Sequence, residues 1–247
     1  MSDGFERLVE YTSGFDPGFA GGIEGASDAE LDELDTLLNG RMPPAYRDFL
    51  RLMGRSTDWI AVPNYDLRIH EVLAYYRRET WMAQTDYIRI GLAVQEPSFN
   101  PHLRLHGDDR EPDVVCFPGC GPDTFDEVVA NLLDPVAGSL LELLAMPVFR
   151  TFELCPDGRK PAYLATESRA EGDLDSAEDA ALDLGFERRW FSSLTGRALA
   201  RADGAAIRLL GFQGYPLMVW LASDDPMDEA SLMHTLQSVV PGLATPG

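Results

Sequence analysis

Apolar residues in the first 54 positions recur at helical spacing, and the breaks between them carry explicit punctuation. Gly21-Gly22 and Gly25 interrupt the chain. Ser27 follows, with Glu30 three residues on, the spacing of a capping box. Behind it Leu31, Leu34, Leu37 and Leu38 share one helical face, while Asp28, Asp32, Glu33 and Asp35 face out. The early acids also complement the positive end of the helix dipole. Asn39-Gly40 closes this helix, and Pro43-Pro44 opens another. Its stripe of Tyr46, Phe49, Leu50 and Met53 ends at Gly54.

From position 58 to 117 the period changes to that of strands. Trp59-Ile60-Ala61-Val62, Tyr87-Ile88-Arg89-Ile90 and Val114-Val115-Cys116-Phe117 are short β-prone runs bounded by Pro, Gly and Asp. His102-Leu103-Arg104-Leu105-His106 alternates with period two and meets a turn at Gly107-Asp108-Asp109. A helical stretch over 69–83 lies between the first two strands. Asp123 is placed to cap a helix over 124–133, and Pro135 interrupts it before a second apolar segment reaching Leu144. Helices, antiparallel strands and a helix in that order predict an α+β unit.

The stretch 156–179 reads as a boundary. Asp157-Gly158 is a turn signal between two β-like runs, 148–154 and 161–166, and Glu171-Gly172-Asp173-Leu174-Asp175 reads as an acidic surface loop. A helix over 176–184, strands near 188–193, 197–202, 205–210 and 217–222, and a last helix over 227–239 follow. The predicted organisation is a first domain over 1–155 and a smaller C-terminal α/β extension over 156–247.

Composition narrows the function more than the fold. Hydrophobic residues at 45 % and aromatics at 10 % of 247 residues are enough to bury a core, which excludes a wholly disordered chain. The formal charge of −21 disfavours nucleic acid and anionic membrane surfaces as electrostatic partners, and it suits a basic protein. Residues 1–150 carry 26 acids against 12 bases, so the acidity is denser there than in the remainder, with 15 against 8. Three cysteines are too few for a disulfide framework and fit a reducing compartment. The opening residues are polar, without the apolar segment of a secretory signal. The apolar stretch over 136–149 is broken by Ser139, Glu142 and Pro147. A cytoplasmic protein is therefore expected.

Catalytic constellations are sparse. His102 and His106 on a strand would lie about 13 Å apart, too far to share an ion, so both read as ordinary surface histidines. Cys116 and Cys120 are separated by three residues rather than the two of redox and zinc pairs, and acids surround them. Asp108, Asp109, Glu111 and Asp113 lack the register of a calcium loop. No phosphate-binding Gly-Lys-Ser/Thr loop and no Gly-x-Ser-x-Gly elbow occur, and Lys160 is the only lysine. The residues thus predict a binding protein without a metal, a cofactor or a catalytic centre.

The run Phe19-Ala20-Gly21-Gly22-Ile23-Glu24-Gly25-Ala26-Ser27-Asp28-Ala29-Glu30-Leu31, followed by Met42-Pro43-Pro44-Ala45-Tyr46-Arg47-Asp48-Phe49-Leu50 and Gly54, resembles the SUKH superfamily. Met42 stands where that family usually has Leu, and Met53 where an Asn precedes the glycine. Asp123-Thr124-Phe125-Asp126-Glu127-Val128-Val129 is similar to its closing helix; nothing after about position 150 is. The resemblance implies an antiparallel sheet with flanking helices and no catalytic residues. It also implies a role as an immunity protein that neutralises a toxin, often a nuclease, or as a regulatory interaction protein. An enzyme with an unrecognised metal site is the remaining alternative. For a basic toxin, the expected binding face pairs the aromatic anchors Trp59 and Tyr65 with the turn acids Asp108, Asp109, Glu111 and Asp113. The outward face of the helix that follows Ser27 (Asp28, Asp32, Glu33 and Asp35) ranks behind it.

Overall fold

Helix formation in the first 54 residues follows the punctuation of the sequence. The computed structural model describes residues 3–60, 65–94, 99–105, 111–167, 173–212 and 215–245; the side chains of Trp59, Asp134, Pro135 and Asp157 also fall outside that description. Helices α1 (Asp3–Phe15) and α2 (Phe19–Gly22) precede α3 (Asp28–Leu37) and α4 (Pro44–Met53). The capping box forms: the Ser27 hydroxyl accepts the Glu30 N–H, and the Glu30 carboxylate accepts the Ser27 N–H at 2.8 Å. Leu31, Leu34 and Leu38 are fully buried, as are Tyr46, Phe49, Leu50 and Met53. Asn39 and Gly40 take φ of 58° and 72°, the left-handed turn that Asn-Gly favours.

Two short strands, β1 (Ile23–Glu24) and β2 (Ser56–Thr57), tie the two sides of this helical layer together. Gly25 lies between β1 and the last turn of α4. A Cβ there would stand 1.9 Å from the Arg51 carbonyl oxygen, so the close approach admits only glycine.

The chain is α+β and divides into two compact units, Met1–Leu144 and Ala145–Gly247. In the first, β3 (Tyr65–Asp66), α5 (Ile69–Tyr76) and β4 (Tyr87–Arg89) are followed by β5 (Leu92–Ala93), β6 (Asn100–Arg104) and β7 (Asp113–Phe117). Then come α6 (Phe125–Leu132), β8 (Asp134–Ala137) and the start of α7 (Leu140–Phe149). The main sheet has the order β4-β6-β7-β8, antiparallel throughout, and β3 pairs separately with β5.

Several expectations shift. Trp59 and Ile60 belong to a 3-10 turn over Asp58–Ile60 rather than a strand, and residues 61–64 lie outside the description. Helix α5 stops at Tyr76, and Met82–Gln84 forms a separate 3-10 turn. Thr124, not Asp123, occupies the N-cap of α6. The Pro135 segment is a strand on the sheet's edge, where the missing N–H is tolerated. The β-like run 148–154 is helical: α7 continues into a π-helical turn over Arg150–Leu154, with Val148, Phe149 and Leu154 buried.

The second unit packs one antiparallel sheet against two helices. Strands β9 (Ala162–Ala165), β10 (Glu187–Arg188), β11 (Gly196–Ala200), β12 (Ala206–Leu210) and β13 (Met218–Ala222) pair antiparallel in the order β10-β11-β12-β13-β9. Helices α8 (Asp173–Asp183) and α9 (Pro226–Val239) supply Leu174, Ala177, Ala181, Leu232 and Leu236 to a core shared with Leu164, Leu199, Ile207, Leu209, Val219 and Leu221. Asp173 and Leu174 are buried in the first turn of α8, not exposed in a loop. The two units meet at 144/145 in sequence, ahead of the expected 155/156. No described helix is long and apolar enough to cross a membrane.

The contrast between two glycines tests this packing. Gly25→Ala should cost about 1–3 kcal/mol through overpacking. Gly21→Ala, with open space around it in α2, should be neutral or gain about 0.5–1 kcal/mol. Urea denaturation of the two variants checks both; equal stabilities would show that the Arg51 contact does not restrict Gly25.

Candidate functional site

The register of the four-stranded sheet decides which side chains share a face. Tyr87 stands opposite Arg104, which stands opposite Asp113; Arg89 stands opposite His102, which stands opposite Val115; Asn100 stands opposite Phe117. Alternation places all of these on one face, and Ile88, Leu103, Val114 and Cys116 on the other.

The predicted anchors and acids divide between those faces. The Tyr65 hydroxyl lies 3.2 Å from the Cys116 sulfur, on the side opposite Asp113. Asp113 grips Arg104 through two hydrogen bonds, so its charge is matched locally. Glu111 is exposed just ahead of β7. Asp108 and Asp109 lie outside the described residues, as does the Trp59 side chain. The second-ranked face is neutralised in part: Asp32 and Asp35 share Arg47, and Glu33 pairs with Arg77.

The polar face is instead joined by an aromatic group assembled from distant segments. Phe125 of α6 packs edge-on to Trp81, Tyr87 and Phe117, with ring centroids 5.5, 5.7 and 6.0 Å away. None of the residues of α6 is fully buried; Phe125, Val128 and Val129 are half-covered, and Leu132 is 46 % exposed. Acids rim this surface: Asp123, Asp126 and Glu127 on and before the helix, and Asp86 beside Tyr87, are all exposed. Glu79 is exposed too and accepts a hydrogen bond from the Trp81 indole at 3.0 Å. The sequence predicts a helix over 124–133, but no local signal connects it with Trp81 and Tyr87.

Chemistry deeper in the same face is muted. His102 was expected at the surface, yet it is 1 % exposed and stacks on Phe117 with centroids 3.8 Å apart and planes 10° from parallel. Its Nδ1 lies 2.8 Å from the Asn100 carbonyl oxygen, which assigns the proton to Nδ1. Burial, reinforced by the Arg89 charge, holds this imidazole well below its usual pKa and therefore neutral. Arg89 sits 4.2 Å above the Tyr75 ring and donates to the Gly91 carbonyl. Burial pushes the Cys120 thiol up against the opposing pull of Arg89, so it stays protonated near neutrality. Among the described residues no group of three His, Cys, Asp or Glu side chains is placed to hold a metal ion. The arrangement suits recognition by surface contact: exposed aromatic and aliphatic area with a rim of acids.

No protein-family model matches the chain, and no curated protein matches it.

The buried imidazole sets a pH dependence. Its folded pKa is depressed, so the unfolded chain takes up a proton that the folded one refuses. Stability should therefore be complete above the unfolded imidazole pKa and decline as pH falls below it, by at most about 1.4 kcal/mol per pH unit from this group. Thermal melts between pH 7.5 and 5.5 should show that decline, and His102→Phe should reduce its slope. An unchanged slope in the variant would place the effect elsewhere.

Proposed function

We propose that this chain is a non-catalytic binding protein of the immunity type, which neutralises a basic protein toxin through the α6 surface of its first unit. The observation that carries the reading is α6 itself: an amphipathic helix with no fully buried residue, set beside Trp81 and Tyr87 and ringed by acids that no described arginine neutralises. Large aromatics at the centre of a contact supply most of the binding energy, and acids at its rim accelerate encounter with a cationic partner. The overall charge of −21 and the resemblance of residues 19–54 to SUKH proteins support the same reading. A nuclease toxin fits the chemistry, since its phosphate-binding face is basic and an acidic protein covers it as a competitor for nucleic acid.

The partner is sought as the product of the adjacent reading frame, and its association with the full chain is measured at two ionic strengths. Replacing Asp123 and Asp126 by Asn and Glu127 by Gln should slow association about tenfold at low salt and flatten its salt dependence. Trp81→Ala should raise the dissociation constant by more than about thirtyfold, which is the loss of a hot spot of about 2 kcal/mol. Both variants should keep the far-ultraviolet circular dichroism of the parent. Unaltered kinetics in the folded variants, or an acidic, non-toxic neighbouring product, would overturn the reading.

A further inference from the structure

The second unit carries a feature at odds with the acidity of the chain. On the sheet face opposite its core, Arg208 of β12, Trp220 of β13 and Tyr163 of β9 stand directly opposite one another across three adjacent strands. The Arg208 guanidinium lies 4.9 Å from the Trp220 ring centroid, and the Trp220 and Tyr163 rings lie 5.2 Å apart at 31°. The π-helical turn after α7 brings Arg150 to this row, and the turn before β9 brings Lys160. With Leu154 and Pro161 these residues line a cavity of about 340 Å³.

Among the described residues, three cations and two aromatic rings line this space, and no carboxylate does. In a chain with 41 acids and 20 bases that is a local inversion of sign. Arg150 and Lys160 are exposed and make no ion pair among the described residues. The rings present an apolar, polarisable wall, on which a flat heterocycle gains stacking energy. The cations converge on the same space, where a guanidinium and an ammonium bind phosphate well. The volume falls at the small end of ligand cavities, which fits one compact molecule rather than a polymer.

We propose that this cavity binds a free mononucleotide, its base against Trp220 and Tyr163 and its phosphate between Arg150, Lys160 and Arg208. The flat ring and the anion are each matched by a separate part of the wall, so a ligand that has both gains from both. The site lies wholly within the second unit and does not depend on the toxin-binding reading. A single-stranded nucleic acid shares the chemistry, but its remaining phosphates would meet the negative field of the whole chain.

The test is calorimetric titration of the full chain with each of the four ribonucleoside 5′-monophosphates. Inorganic phosphate, the free nucleosides and a ten-residue single-stranded oligonucleotide serve as comparisons. At least one monophosphate should bind saturably with one site per chain. Its nucleoside and inorganic phosphate should each bind at least about tenfold more weakly, in line with the loss of a charged hydrogen-bonding group or of a stacked ring. The double variant Arg150→Gln, Lys160→Gln alters two exposed side chains and should retain the fold by circular dichroism. It should lower that affinity by about tenfold or more. Absence of saturable binding by every monophosphate, tighter binding of the oligonucleotide, or undiminished binding by the folded double variant would each overturn the proposal.

Discussion

Strand register is the constraint on which both candidate surfaces depend. An antiparallel sheet that covers one face with helices commits every second residue to the other face. In the second unit, Leu199, Ile207, Leu209, Val219 and Leu221 are committed to the helix-covered core. The residues between them, Arg208 and Trp220 included, are then fixed on the far side in directly opposed pairs. In the first unit the same rule aligns Tyr87 with Arg104 and Asp113, and separates that row from Cys116 and Tyr65. A slip of one residue would send Trp220 into the core and Leu221 out to the cavity.

What was legible in the sequence is what short-range chemistry decides. The capping box at Ser27, the Asn39-Gly40 stop and the Pro43-Pro44 start are interactions between residues only a few positions apart, and each forms. The strands near 87–90, 102–106 and 114–117 were likewise marked by β-branched residues or by alternation. Where distant contacts decide, the pattern misled. Residues 148–154 are rich in strand-forming side chains, yet Val148, Phe149 and Leu154 are buried as parts of a continuing helix. Pro135 read as a helix break and proved to be a residue of an edge strand.

The candidate site was less legible than the fold for the same reason. Trp81 and Tyr87 come from a turn and a strand, and Phe125 from a helix separated from them in the chain by β5, β6 and β7. The acid-rich stretch before Asp113 reads as an open charged surface because its acids are close in sequence, but Asp113 is engaged with Arg104. The same holds for α3, whose acids look like an open charged face until Arg47 and Arg77 are placed beside them. Net charge therefore overstates the field around those residues, and the outward charge lies with acids that have no arginine near them.

The position of Lys160 has a practical consequence. It is the only lysine among 247 residues, and it stands at the wall of the cavity in the second unit. Apart from a chain terminus, the ε-amine there is the one primary amine the sequence contains. Amine-selective reagents, whether an acylating probe, a spin label or a fluorophore, therefore address a single side chain without any engineered cysteine. The protein carries its own addressable handle.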